Sequence, residues 1–278
     1  GAGGAGGGGA GAGAEGGGAD DDELAWFAGQ VLLLYQEPRL SPSCLTLLMQ
    51  IGQCDPTALL QVLSKAARRV DLGPGFASSA LLALVAFVRG APSQVLPMLP
   101  KFTEAVLRCL EPSDPSLRRQ SLLAVTSALH ELVQTFPMVA FHQNTQKLAV
   151  GTVDGLILVY DLRTATKWRI LEGHIGAIAA LAFAADGDRL ASYSAEDASV
   201  RIWQCAASGF FGGLLQGGGS RCIRHQPLPP AAPPAAAAQG PVPQGVASSW
   251  RAVALAWTQR DRLSLVRETG QALELRPQ

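Results

Sequence analysis

The chain has 278 residues, with 22 Lys+Arg against 22 Asp+Glu and a formal net charge of +0. That balance excludes a general nucleic-acid or anionic-membrane binder, because counterion release and lipid attraction both need concentrated positive charge. At 48% hydrophobic and 16% charged the chain can bury a core. Residues 1–19 are almost all Gly and Ala and read as a disordered segment. A phosphate loop would need a strand before the glycines and a helix with Lys-Ser/Thr after them, and neither follows from this stretch. The chain begins with Gly1, shows no basic region ahead of an apolar one, and is expected to be a piece of something longer and soluble.

Residues 20–136 have helical periodicity. Asp20, Asp21, Asp22 and Glu23 place negative charge at a helix start. Leu24, Trp26, Phe27, Val31, Leu32, Leu34 and Tyr35 then recur at helical spacing up to Pro38. A second helix covers about 43–52. Asp55-Pro56 places a capping carboxylate before a first-turn proline, starting a third helix that runs to about residue 70. Gly73-Pro74-Gly75 precedes a fourth over 76–89, an apolar run too short to span a bilayer and ended by Arg89. A fifth is expected over 94–110, bent by Pro97 and Pro100. Asp114-Pro115 repeats the capping device and opens a sixth that ends near Thr135. The stretch 94–135 resembles a HEAT repeat: an early proline in helix A, an Asp turn, then basic residues opening helix B. The resemblance assigns Asp114 with Arg118 or Arg119 to a structural turn ladder.

The period changes over 137–204. Short runs at 138–142, 147–152, 156–161 and 167–171 are separated by Asn144-Thr145, Asp154-Gly155 and Thr164-Ala165. Glu172-Gly173-His174 follows, and the cycle repeats at 177–183, Asp186-Gly187, 189–193 and 200–203. Two units of about 35–40 residues, with a Gly-His and a terminal aromatic, resemble WD-repeat blades of a β-propeller. In that family a buried His, Ser, Asp and Trp bond together; here the matching residues are His174, Ser192, Asp197 (or Glu196) and Trp203. The first unit has Val150 and Tyr160 in the Ser and Trp places. Residues 205–246 are Gly-rich, then Pro/Ala-rich, and read as a linker. Residues 247–278 carry alternating runs expected to complete the second blade and part of another. Two blades cannot close a ring, so the missing ones are expected from elsewhere, either upstream in a longer chain or in a partner.

The fold class is therefore α+β multidomain: a HEAT-like α-solenoid followed by an incomplete WD-repeat β-propeller of two blades plus C-terminal strands. The five cysteines are odd in number, irregularly spaced and fit a reducing compartment. Cys222-Ile223-Arg224-His225, even with Cys205 upstream, matches no regular zinc spacing, so no metal or other cofactor is expected. No Gly-x-Ser-x-Gly elbow, His-Glu-x-x-His or Cys-x-x-Cys occurs, and neither His130 nor His142 has a nucleophile spaced around it. The expectation is no catalytic residue and no enzyme.

The order of the modules carries a finer likeness. Residues 132–142 run directly into 145–152, Tyr160-Asp161-Leu162-Arg163-Thr164-Ala165-Thr166, Leu171-Glu172-Gly173-His174 and a closing hairpin at 253–266. This resembles the C-terminal region of the rabconnectin beta-subunit family, also called the WD-repeat protein seven family, over about 94–204 and 250–275. The resemblance implies a cytoplasmic scaffold, peripheral on vesicle or endosome membranes without inserting into them. Its implied partners are a rabconnectin alpha (DmX-like) subunit and V1 subunits of the vacuolar proton ATPase, whose assembly and vesicle acidification it would promote. The alternative with the same architecture is a generic WD-repeat adaptor in vesicle trafficking or a substrate receptor of a ubiquitin ligase.

Overall fold

The computed structural model describes residues 17–69, 72, 75–111, 113–205, 222–229 and 250–276. The Gly/Ala stretch through residue 16, the Gly73-Pro74 break and most of the 205–246 linker lie outside the described residues. Helices come first in the chain: α1 (Gly17–Tyr35), α2 (Ser41–Cys54), α3 (Pro56–Ala66), α4 (Phe76–Gly90), the single turn α5 (Pro92–Val95), a 3₁₀ turn (Leu96–Met98), α6 (Leu99–Arg108) and α7 (Pro115–Thr135).

Both capping devices form. The Asp55 carboxylate accepts from the backbone N–H groups of Thr57 and Ala58 at 2.9 Å, ahead of Pro56. Asp114 accepts from Leu117 N–H at 2.9 Å, ahead of Pro115. Each satisfies N–H groups that have no partner within the helix. The helix expected over 94–110 is instead divided into α5, the 3₁₀ turn and α6, because Pro97 and Pro100 remove donors and crowd the preceding turn. Helix α4 is the hub of the layer: Ala77, Ala80, Leu81, Leu84 and Val88 are fully buried, which accounts for its lack of a polar face. It packs along α7, where Arg89 meets Glu131 at 2.7 Å and the Ser78 hydroxyl donates to the Gln120 carbonyl at 3.1 Å. Among the described residues no single helix is long and apolar enough to cross a membrane.

Three antiparallel sheets follow, each a simple meander. The first holds β1 (Val139–His142), β2 (Lys147–Gly151), β3 (Ile157–Asp161) and β4 (Thr166–Leu171). The second holds β5 (Ile178–Phe183), β6 (Arg189–Ser194), β7 (Ser199–Gln204) and β8 (Cys222–Pro227). The third holds β9 (Ala254–Gln259), β10 (Arg262–Val266) and β11 (Ala272–Leu275).

The linker reading of 205–246 needs correction at Cys222–Pro227. This strand pairs with β7, Ile202 opposite Arg224, and completes the second sheet. The strands of 247–278, expected to complete the second blade and part of another, form a separate sheet. Strand β8 hid because it is an outer strand alternating between half-buried and exposed positions, with one aliphatic side chain in its six residues. Its place depends on backbone hydrogen bonds, which leave no hydrophobic period.

Side-chain alternation shows what covers each sheet. All residues of β3 are buried, so both of its faces are covered. Gly151 lies on the face toward the second sheet, where a Cβ would stand 2.5 Å from Cβ of Ile178. The register places Leu148 opposite Tyr160 and Val150 opposite Leu158, on the other face. That face meets the helices: the Tyr160 hydroxyl donates to Glu104 Oε1 of α6 at 3.2 Å, and Phe141 and Leu162 face Leu129 and Val133 of α7 across a cavity. One hydrophobic core consequently runs from Ala28 in α1 to Trp203 and Cys205 at the end of β7. Helices α6 and α7 thus occupy the outer side of the first sheet. On the far side, β9 alternates exposed and half-buried residues, so the third sheet has one open face.

Candidate functional site

The second sheet brings His174, Ser192, Asp197 and Trp203 together. His174 precedes β5, Ser192 lies in β6, Asp197 in the β6–β7 turn, and Trp203 in β7. Trp203 Nε1–H donates to Ser192 Oγ at 2.8 Å, and Ser192 Oγ lies 2.7 Å from His174 Nε2. His174 Nδ1 lies 2.8 Å from Asp197 Oδ2. With Nδ1–H donating to the carboxylate, Nε2 accepts the serine O–H and the chain of donors is complete. The turn residue left open by the sequence is thus Asp197; Glu196 accepts from the Ala177 N–H at 3.4 Å instead. Ser199 Oγ donates to the second Asp197 oxygen at 3.0 Å.

Serine, histidine and aspartate in this order have the bonding pattern of a nucleophilic triad. Access differs. Ser192 is 0% exposed, Trp203 1% and His174 6%, and the indole N–H already occupies the serine oxygen. Burial pulls the His174 pKa below its usual value, outweighing the raising effect of Asp197. Burial alone would raise the Asp197 carboxyl, but hydrogen bonds from His174, Ser199 and the Ile175 backbone hold it below the ordinary range.

Two clusters on the first sheet escaped sequence reading. Lys147 Nζ meets Asp161 Oδ2 at 2.7 Å with both residues buried, and the lysine also stands 4.0 Å over the Trp168 ring. Burial would raise the Asp161 carboxyl, but donors from Arg163 and Lys147 depress it strongly. The second is Glu104, which accepts from Tyr160 and pairs with Lys167 at 2.9 Å, joining α6 to β3 and β4. Tyr160, in the place of the blade tryptophan, is 2% exposed, and its hydroxyl pKa is raised by burial and then by the Glu104 charge. Only the strand register, Lys147 opposite Asp161, could have revealed the first pair. Nothing local marks the second.

The Asp114–Arg ladder is not brought together. Asp114 caps α7, Arg118 donates to the carbonyls of Leu110 at 2.8 Å and Arg163 at 3.4 Å, and Arg119 donates to the Pro115 carbonyl at 3.3 Å. His142 holds the Thr145 hydroxyl at 2.8 Å and the Ala185 carbonyl at 3.2 Å, so it ties the first sheet to the β5–β6 turn. Cys205 and Cys222 stand near facing strand ends, and among the described residues no group of three or more His, Cys, Asp or Glu could hold a metal ion.

Residues 102–216 match the family described as Nucleolar protein 10-like, N-terminal domain, a β-propeller family. That span is less than half of the chain. Among solved structures, the chain is similar to the Cps50 (Swd1) β-propeller domain of Myceliophteria thermophila at 21% identity, covering 51% of this chain and 34% of that one, with a TM-score of 0.34. A component of the mitotic checkpoint complex gives 22% identity, 46% and 31% coverage and a TM-score of 0.31. U3-55K gives 17% identity, 50% and 36% coverage and a TM-score of 0.30. The chain spans about a third of the length of each. The meander sheets, the four-residue network of the second and the family match together give an α+β fold whose C-terminal part is a partial WD-type propeller.

Proposed function

We propose that this chain is a non-catalytic protein-interaction scaffold. The observation that carries this reading is the shared core of helices and sheets, which joins two repeat-like layers into one body with wide outer surfaces. The burial of Ser192 behind Trp203 supports a structural role for the triad-like set, since a nucleophile needs an open path to substrate. We read the helical layer as HEAT-like, on its parallel α4–α7 pair, in which Ser78 meets Gln120 and Arg89 meets Glu131, and on its proline-capped helix starts.

The finer reading is a rabconnectin-beta-like scaffold, cytoplasmic and peripheral on vesicles, that contacts a DmX-like subunit and promotes vacuolar ATPase assembly. It is supported by the direct passage from α7 into β1, with Phe136 buried at the joint. A second reading is favoured by the match over 102–216: a propeller module akin to nucleolar protein 10, serving a nucleolar assembly. Affinity purification of the full-length protein with mass spectrometry separates them. The first expects a DmX-like partner and V1 subunits, and in cells lacking the protein, less V1 on vesicle membranes with a more alkaline lumen. Nucleolar proteins in the eluate, with membrane V1 and lumenal pH unchanged, would overturn the first in favour of the second.

A further inference from the structure

Helices α3 and α6 leave between them a groove of about 280 Å³ whose floor includes Leu60 and Ala105. One rim carries Lys65 and Arg68 of the α3 end, the other Lys101 and Arg108 of α6, and all four are exposed. Among the described residues the only carboxylate lining it is Glu104, and that group is already engaged by Lys167 and Tyr160. In a chain of zero net charge this is a local segregation of four cations, with no further carboxylate among the described lining residues. The residues do not serve the fold: the buried faces of the same helices are Leu59, Val62 and Leu63 on α3 and Phe102, Val106 and Leu107 on α6.

We propose that this groove is a docking site for a carboxylate-rich peptide segment of a partner protein, with acidic side chains meeting both rims and apolar ones on the floor. Charge complementarity sets the sign of the partner. The concave shape sets its class, because opposed rims about a recessed apolar floor suit a single chain, whereas a flat anionic bilayer would meet only the rim tips. Helix α6 has 10 residues, so the groove is about 15 Å long and takes four or five extended residues. This site rests on the scaffold reading but can fail without it.

The test uses the full chain and a fluorescein-labelled peptide of alternating Glu and Leu, followed by anisotropy. Saturable binding is expected, weakened as salt is raised. K65E/R68E on one rim and K101E/R108E on the other should each weaken it about tenfold or more, with helical content and melting unchanged. The milder K65Q/R68Q should fall between, and a Lys/Leu probe should bind the reversed-charge variants better than the wild type. Absence of saturable binding, or equal affinity in either reversed variant, would overturn the proposal. So would tight binding to phosphatidylserine vesicles with none to the peptide. If the variants lose no partner in affinity purification while the peptide fails to bind, the groove assignment falls and the scaffold reading stands.

Discussion

At the scale of single residues, the second sheet is specified by a hydrogen-bond chain in which each member fills the one valence its neighbour leaves. Trp203 is the largest fully buried side chain. Trp203→Ala is expected to cost about 3–5 kcal/mol through the cavity it leaves. His174→Ala strands Ser192 and Asp197 and should cost about 1–3 kcal/mol. Both losses should appear as a shifted urea midpoint, and a wild-type midpoint with a lost partner would move these residues onto a functional surface. The same histidine makes stability depend on pH. Its folded pKa lies below 6.5, so at and below that pH the unfolded chain binds a proton that the folded one refuses. Stability is therefore full above pH 6.5 and declines as pH falls beneath it. A second decline follows below 3.8, where Asp161 and Asp197 are held ionised only in the folded state. Denaturation midpoints across pH check this; His174→Gln should flatten the upper decline and leave the lower one.

Elements were legible where a local rule sufficed. Asp-Pro at 55–56 and 114–115 announces helix starts, because cap and proline act within one turn. The Gly173-His174 to Trp203 cycle was readable because its residues resemble the WD-repeat pattern, in which the spacing of the four network members is fixed by the strand register. What escaped depends on pairing across distance. Strand β8 lies in a polar stretch, and the Glu104–Tyr160 contact joins residues 56 positions apart. The sheet interface also rests on a residue with no side chain. Gly151 lets β2 approach β5 so closely that an added methyl would overlap Ile178 and crowd Met138 at 3.2 Å. Gly151→Ala should destabilise by about 1–3 kcal/mol, seen as a lower melting temperature. An unchanged melting temperature would mean the first two sheets are more loosely joined than this contact requires.

Across the whole molecule, the shared core predicts shared unfolding. Far-UV circular dichroism at 222 nm reads mainly the helices, and tryptophan fluorescence reads mainly the sheets, where Trp168, Trp203 and Trp257 reside. The two signals should fall together for the intact chain. Residues 20–136 alone should stay soluble and helical. Residues 137–278 alone should aggregate, because losing α6 and α7 bares Leu148, Val150, Leu158 and Tyr160. Two separate transitions in the intact chain, or a monomeric and cooperatively melting 137–278, would contradict the common core.

The helical cover on the first sheet also changes what kind of object the sheets form. A closed ring of blades has no first member, and every blade is clamped from both sides. Here one end is fixed: α6 and α7 hold the first sheet, the second lies between its neighbours, and among the described residues nothing covers the outer face of the third. Loosening therefore acquires a direction. Local openings below the global transition are expected to be most frequent at β9–β11, with amide exchange there faster than around His174 and slowest in the helix-covered first sheet.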